Sequence, residues 1–368
     1  MLPPVWEALI LPNRGVQFYG GPLQNYLHPE TQQSRSPIAM WRTRTDCSFV
    51  VIILFTASKD FFMRPKIGVA LGSGAARGWS QIGVLEGLAA LGVVPEVVSG
   101  TSIGALVGAA FVTGKLAALK TRMVSFGRHD VAAMVDVHLT TGGLIEGRRV
   151  ENFLDGLGIA GSIETQSRRY AAVATDLASG REIWLQQGPI GRAVRASIGM
   201  PGVFSPTRHD DQWLIDGGLV NPVPVSLARA LGAEIVIAVD LNSELVGRRF
   251  TGSDIELAVS TTPPAAPPQA PQWLKDAVGP ILQRVVQAGA DFPSYFEVLA
   301  NSLNIMQDRI TRMRLAGDPP NVLLCPRLGE FSWLDFHRAN EAIAEGLACV
   351  QAAEPAIRRA CRGAIANV

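Results

Sequence analysis

The stretch Glu96-Val97-Val98-Ser99-Gly100-Thr101-Ser102-Ile103-Gly104-Ala105-Leu106-Val107-Gly108 decides how this 368-residue chain is read. A short apolar run ending at Val98 is followed by G-x-S-x-G, Gly100 to Gly104, and then by small residues to Val112 that read as a helix packed tightly on a sheet. Strand, tight turn and helix in that order predict a nucleophile elbow. Glycines on both sides permit a strained turn and clear space around the Ser102 hydroxyl. The helix N-terminus favours negative charge developing at Ser102 Oγ or on a bound oxyanion. The pattern is short, and its plain competitor is a Gly-Ser turn without chemistry.

Upstream, Ile67 to Leu71 is a buried strand candidate, and it runs straight into Gly72-Ser73-Gly74-Ala75-Ala76-Arg77-Gly78. A dinucleotide fingerprint would need glycine where Arg77 stands, and no acidic residue closes a clear second strand. The loop instead offers unencumbered backbone N–H groups from Gly72, Ser73, Gly74 and Ala75 at a helix start, which is what a tetrahedral oxyanion requires. The next helix spans 82–91, with Ile82, Leu85, Leu88 and Ala89 on one side. Downstream, Tyr170 to Thr175 and Glu182 to Leu185 read as a hairpin, Trp213 to Ile215 as a short strand and Glu234 to Asp240 as a buried one. Short apolar runs alternating with helical stretches from 67 to 241 predict an α/β fold on a mostly parallel central sheet.

A nucleophilic serine needs a base, and the chain has five histidines: His28, His129, His138, His209 and His337. Only His337 lies late enough for a Ser-Asp-His order, and it sits at a helix start where packing or surface roles are the rule. His209 falls in the polar turn Arg208-His209-Asp210-Asp211. Asp216, in Trp213-Leu214-Ile215-Asp216-Gly217-Gly218, is the stronger candidate. A carboxylate at the end of an apolar strand is costly to bury unless it is paired or functional, the competing reading being an Asp that stabilises its own turn.

Taken in order, Gly72 to Gly78, Gly100 to Gly104 and Asp216-Gly217-Gly218 resemble the patatin-like phospholipases, in particular the bacterial subgroup related to the neuropathy target esterase catalytic domain. The resemblance implies a three-layer α/β fold and a Ser-Asp dyad that works without histidine. It also implies Ser102 as nucleophile, Asp216 as proton acceptor and the Gly-rich loop as oxyanion hole. Relatives commonly carry three or four consecutive glycines in that loop, where this chain has Ser73 and Ala75. Arg77 and Gly78 would support the loop, Arg77 through carbonyl contacts. The implied activity is acyl-ester hydrolysis on lipids, of phospholipase A or lysophospholipase type. The alternatives are a conventional Ser-Asp-His esterase, a nucleotide-binding protein using the Gly-rich loop, and a catalytically silent lipid-binding scaffold.

Around this unit the chain is less regular. With 33 Lys+Arg against 32 Asp+Glu and 48% hydrophobic residues, it is a well-packed chain without a global field to draw it onto nucleic acid. Residues 1–62 are broken by Pro and Gly and read as a non-globular extension ending in the apolar run Cys47 to Ala57. At 11 residues that run is shorter than the ~20 a spanning helix needs. Translation from Met63 would enter the first strand at once and is the favoured reading, whereas a start at Met40 would make the run a signal-like segment and imply export, and a start at Met1 would make the segment a membrane-associating extension. The four cysteines form no C-x-x-C pair, so neither zinc nor a disulfide scaffold is indicated, and a cytoplasmic location fits. The expected division is a catalytic domain over 66–241, with its core at 69–229, and a helical C-terminal extension over 242–368 that begins with the proline-rich linker Thr261 to Pro271. In that extension Leu299, Leu303, Met306, Ile310 and Met313 recur at helical spacing opposite Arg309, Arg312 and Arg314. The stripe reads as a helix docked on its own core, the alternative being peripheral contact with a membrane surface. Val322 to Cys325 reads as a strand and Asp335 to Cys349 as a closing helix. The expected partner is a lipid or ester substrate, with no nucleic acid, metal or cofactor.

Overall fold

The computed structural model describes residues 64–127, 147–244 and 295–364. The extension at 1–62, the proline-rich linker, His28, His129 and His138 lie outside them. All the elements belong to the unit Pro65–Val368.

In chain order they are β1 (Ile67–Leu71), α1 (Ser80–Ala90), β2 (Val97–Thr101), α2 (Ile103–Val112), α3 (Leu116–Val124), α4 (Gly147–Gly156), β3 (Arg169–Asp176), β4 (Glu182–Leu185) and α5 (Ile190–Ser197). Then come β5 (Thr207–His209), β6 (Gln212–Asp216), α6 (Val225–Ala230), β7 (Ile235–Val239), α7 (Tyr295–Gly317), β8 (Val322–Leu324) and α8 (Ala339–Ala360). One sheet runs β5-β6-β3-β2-β1-β7-β8, with β4 also paired to β3. Neighbours from β3 to β8 are parallel, while β4, β5 and β6 join antiparallel.

The central strands are buried on both faces, which is why they read as continuous apolar runs. Val69, Leu71, Val98, Ala172, Ile237 and Val239 face one core, filled by α1, α2, α5 and α8. Their alternates Ala70, Val97, Val236 and Ala238 face a smaller core under α6, where Val225 and Ala228 cover them. The result is the expected three-layer α/β architecture with a mostly parallel central sheet. The late strand β8 adds to its edge beside β7, and α8 lies along α1. Their approach is close because a side chain at Gly346 would strike the Ser80 carbonyl.

This packing changes four expectations. Helix α1 is buried on more than one side, with Val84 and Gln81 covered, because α8 occupies what would have been its solvent face, while Ala89 is exposed. His209 belongs to β5, which turns through Asp210 (φ 50°) into β6 rather than forming a polar loop. Helix α8 continues through Pro355 to Ala360, past the expected end at Cys349. The apolar stripe on α7 is docked only in part, with Leu299 and Ile310 half-buried. Leu303 is buried, yet the rest of the covered face is Asn304, Gln307, Asp308 and Thr311, while Met306 and Met313 are exposed. Hydrogen bonds to the segments beneath offset the desolvation of Asn304 and Gln307, and Asp308 pairs with Arg312 one turn along the helix.

Register positions the site. Strand β2 pairs with β3 as far as Thr101 opposite Val173, and β6 arrives from the other direction to place Asp216 opposite Ala174. The carboxyl ends of β2 and β6 therefore meet across one step of β3, so the residues that end them must be neighbours. The loop after β1 opens at the same edge, in the position where open α/β sheets bind ligands.

Candidate active site

Ser102 lies between β2 and α2 with φ 56° and ψ −124°, a backbone conformation that a non-glycine residue holds only when its surroundings impose it. Those surroundings are tight. A side chain at Gly104 would run into the Leu71 carbonyl, so the first turn of α2 lies directly against the end of β1. The Ser102 N–H donates to Ser197 Oγ at 2.9 Å, and Ser197 Oγ donates to the Val173 carbonyl at 2.6 Å, which pins the turn to β3. The side chain is thereby aimed across the junction of β2 and β6.

What it meets there is Asp216. Ser102 Oγ donates to Asp216 Oδ2 at 2.6 Å, and the other oxygen, Oδ1, accepts from the Gly218 N–H at 2.6 Å. Asp216 is fixed from behind as well: its N–H donates to the Gly199 carbonyl at 3.0 Å and its carbonyl accepts from Thr175 Oγ1 at 2.8 Å. Burial pushes its carboxyl up to about 6, and the hydrogen bonds from Ser102 and Gly218 hold it from rising further. At neutral pH it is thus an ionised acceptor, more basic than an exposed aspartate. The turn-stabilising role and the pairing with Ser102 coexist, one on each oxygen.

The Gly-rich loop is more specialised than its sequence implies. The N–H groups of Gly72 and Ser73 already donate to the Val239 and Pro222 carbonyls, at 3.1 and 2.9 Å, so neither serves an oxyanion. Among the described residues no acceptor is found for the N–H groups of Gly74 and Ala75, which leaves these two of the four expected donors. Ala75 holds φ 49°, the strain of a short non-helical turn at the start of the 3-10 segment Ala75–Trp79. Gly78 lies in that segment against Ile103, which closes the space between the loop and α2.

Arg77 is fully buried and supports the loop, though chiefly through side-chain amides. It donates to Asn242 Oδ1 at 3.1 Å, to Asn304 Oδ1 at 3.2 Å and more weakly to the Phe331 carbonyl at 3.5 Å. Burial lowers it to about 10, partly countered by Asp240, so it remains charged at neutral pH. Asp240 is itself pushed up, first by burial. Ser73 Oγ donates to Gln307 Oε1 at 2.9 Å, and Asn242 Nδ2 reaches the same oxygen at 3.1 Å and the Ser73 carbonyl at 3.3 Å. Ser73 is more than a substitute for glycine, because its hydroxyl ties the loop to α7. Asn242, Asn304 and Gln307 do not stand out in the sequence. For Asn304 and Gln307 the signal is there, since positions 304, 307, 308 and 311 form a polar stripe at helical spacing, but the arginines beside it mask it.

His209 lies 3.8 Å from Asp210, and His337 is in the short 3-10 turn Phe336–Arg338 before α8. Neither hydrogen-bonds to Ser102 or Asp216. Among the described residues no group of three His, Cys, Asp or Glu is placed to hold a metal ion.

The family model for patatin-like phospholipase matches residues 69–229, which contain Ser102, Asp216 and the whole Gly-rich loop. An uncharacterized NTE family protein of Mycobacterium bovis is 31% identical over 77% of this chain and 90% of its own. Patatin-like phospholipase domain-containing protein 7 of Rattus norvegicus is 32% identical over 48% of this chain and 14% of its own. Among solved structures, VipD from Legionella pneumophila aligns over 79% of this chain and 67% of its own with 12% identity and a TM-score of 0.35, too distant to carry an argument. By its family-model match and by its identity over nearly the full length of an NTE family protein, the chain belongs to the patatin-like phospholipase family.

Proposed function

We propose that the protein is a serine acyl-ester hydrolase of lipids that works through a Ser102-Asp216 dyad. Family membership supports lipid hydrolysis as the general activity. The observation that carries the dyad is the 2.6 Å hydrogen bond from Ser102 Oγ to a buried carboxylate of raised basicity.

In the reaction the Ser102 hydroxyl proton passes to Asp216 Oδ2 as Oγ attacks the ester carbonyl carbon. The tetrahedral oxyanion is met by the Gly74 and Ala75 N–H groups and by the N-terminus of α2. Collapse breaks the bond to the alcohol, which leaves with the proton held by Asp216. Water then attacks the acyl-enzyme and gives a proton to Asp216, which returns it to Ser102 Oγ as the fatty acid is released. Arg77, Asn242 and Gln307 keep the loop in place and touch no reacting atom. No metal or cofactor enters these steps.

Residues 66–241 are taken as the catalytic domain, and 242–368 as an extension whose β8 and α8 complete the sheet and its outer layer. The substrate class is a phospholipid or lysophospholipid, with peripheral contact at a lipid surface. Steady-state hydrolysis of a phosphatidylcholine, a lysophosphatidylcholine and a short-chain nitrophenyl ester by wild type and Ser102→Ala tests the reading. Loss of all three activities in the variant is expected, and retention of any of them rejects the assignment of Ser102.

A further inference from the structure

Helix α7 has its two faces reversed relative to an ordinary core-docked helix. Its inner face is polar and lies over the candidate site: Gln307 bonds to Ser73, and its amide nitrogen lies against Gly218, two residues beyond Asp216. Its outer face carries Val298, Ile305, Met306 and Met313, which are 49, 52, 47 and 76% exposed. The other exposed positions from 298 onward are Ser302, Arg309, Arg312, Ala316 and Gly317, so the face holds two arginines and no carboxylate. Arg312 leans toward Asp308 at 2.9 Å, yet its side chain remains 63% exposed.

Four of the ten exposed large hydrophobics among the described residues gather on this one face, and a cluster of that size marks a surface that is covered during function. Apolar residues interleaved with arginine and free of acidic residues are the composition of a helix lying in a lipid interface, where the apolar chains enter the acyl boundary and the guanidinium groups meet anionic headgroups. A second copy of the chain is a poorer occupant, because a twofold contact through this face would set arginines against arginines. Access argues the same way. Ser102 and Asp216 are 5 and 2% exposed, so a lipid that reaches them must pass the elements that cover them, and α7 is one of these.

We propose that the outer face of α7, through Val298, Ile305, Met306, Met313 and Arg309, is the surface by which the protein docks on anionic lipid bilayers, placing the candidate site beside its substrate. The proposal rests on the lipid-hydrolase reading for the nature of the substrate, while its test is separable from it.

The experiment is co-sedimentation with vesicles of equal phosphatidylglycerol and phosphatidylcholine, and with phosphatidylcholine vesicles alone. It uses wild type, the triple variant Ile305→Ser, Met306→Ser, Met313→Ser, and Arg309→Glu. Wild type is expected to bind the anionic vesicles more tightly than the neutral ones. The triple variant should bind both at least tenfold more weakly, and Arg309→Glu should lose about tenfold on the anionic vesicles only. Hydrolysis of vesicle lipid should fall with binding, while hydrolysis of a soluble short-chain ester stays within about twofold of wild type, which also shows that the variants fold. Absent wild-type binding, or equal binding by all three proteins, overturns the proposal. So does a wild-type dimer that the triple variant converts to a monomer with vesicle binding unchanged, because the face then belongs to a second copy. If vesicle binding behaves as expected but no protein hydrolyses the soluble ester, the docking surface stands and the dyad fails.

Discussion

Ser73 Oγ and Gln307 Oε1, 234 positions apart in sequence, are joined by a buried 2.9 Å hydrogen bond that couples the candidate oxyanion loop to helix α7. Replacing Gln307 with Ala leaves the Ser73 hydroxyl and the Asn242 amide without their shared acceptor, at a cost of about 1–3 kcal/mol. Because Gln307 positions the loop and touches no reacting atom, kcat for a soluble ester should fall about tenfold with KM nearly unchanged. Gln307→Glu, which keeps an oxygen at that position, should recover part of the loss. Steady-state kinetics on the two variants checks this, and a KM effect with kcat intact would place Gln307 in substrate binding instead.

The carboxyl of Asp216 sets the pH dependence. It must be ionised to accept the Ser102 proton, and burial raises it to about 6, so kcat/KM should rise with pH through that value and then level off. A profile that stays flat down to pH 4 would remove Asp216 from the role of base.

The same shift predicts a stability effect of opposite sign. Between the unfolded value of about 4 and the folded value of about 6, the native state binds more protons than the unfolded chain, so the stability Asp216 contributes is full at low pH and falls as pH rises through that window. Asp216→Asn escapes the loss. Relative to wild type it should gain up to about 3 kcal/mol at pH 8, with the difference shrinking toward zero below pH 4, when urea unfolding is followed at both pH values.

Strain at Ser102 supplies a second stability test. Both Ser102→Ala and Ser102→Gly remove the hydroxyl, but only Gly is at ease with φ 56°. Ser102→Gly should therefore be more stable than Ser102→Ala by about 1 kcal/mol in thermal unfolding, against the usual order in which Gly is the worse residue.

Arg77 is predicted to be structural in effect. Arg77→Ala strands the Asn242 and Asn304 oxygens and removes one of the two cations that act on Asp240, which should cost about 3 kcal/mol or more. Arg77→Lys should be little better, since one ammonium cannot span acceptors from three segments. Denaturant unfolding of both variants measures the loss.

His337 separates the dyad from a triad. It has no hydrogen bond to Ser102 or Asp216, so His337→Ala should change kcat/KM for a soluble ester by less than about threefold. A loss of three orders of magnitude or more would restore the conventional Ser-Asp-His scheme.

The parts legible in the sequence are those whose physics is local. The buried strand Ile67 to Leu71, the glycines around Ser102 and the carboxylate ending Trp213 to Asp216 each announce themselves within a few residues. So does the α/β alternation that orders the sheet. The hidden parts depend on partners far away in the chain. The loss of Gly72 and Ser73 as oxyanion donors comes from carbonyls of Val239 and Pro222, which no local pattern reveals. The face that α7 buries is set by polar groups waiting beneath it, and a hydropathy stripe, which counts only apolar residues, points to a side that is only partly covered. The head-to-head meeting of β2 and β6 is likewise a matter of register on β3, and it is what turns two separate motifs into one site.

The most direct test of the central claim is covalent labelling. The protein, treated with a fluorophosphonate and mapped by peptide mass spectrometry, should carry one phosphonyl group on Ser102, with labelling slowed strongly in Asp216→Asn and absent in Ser102→Ala. Labelling at another serine, or undiminished labelling of Ser102→Ala, would contradict the account.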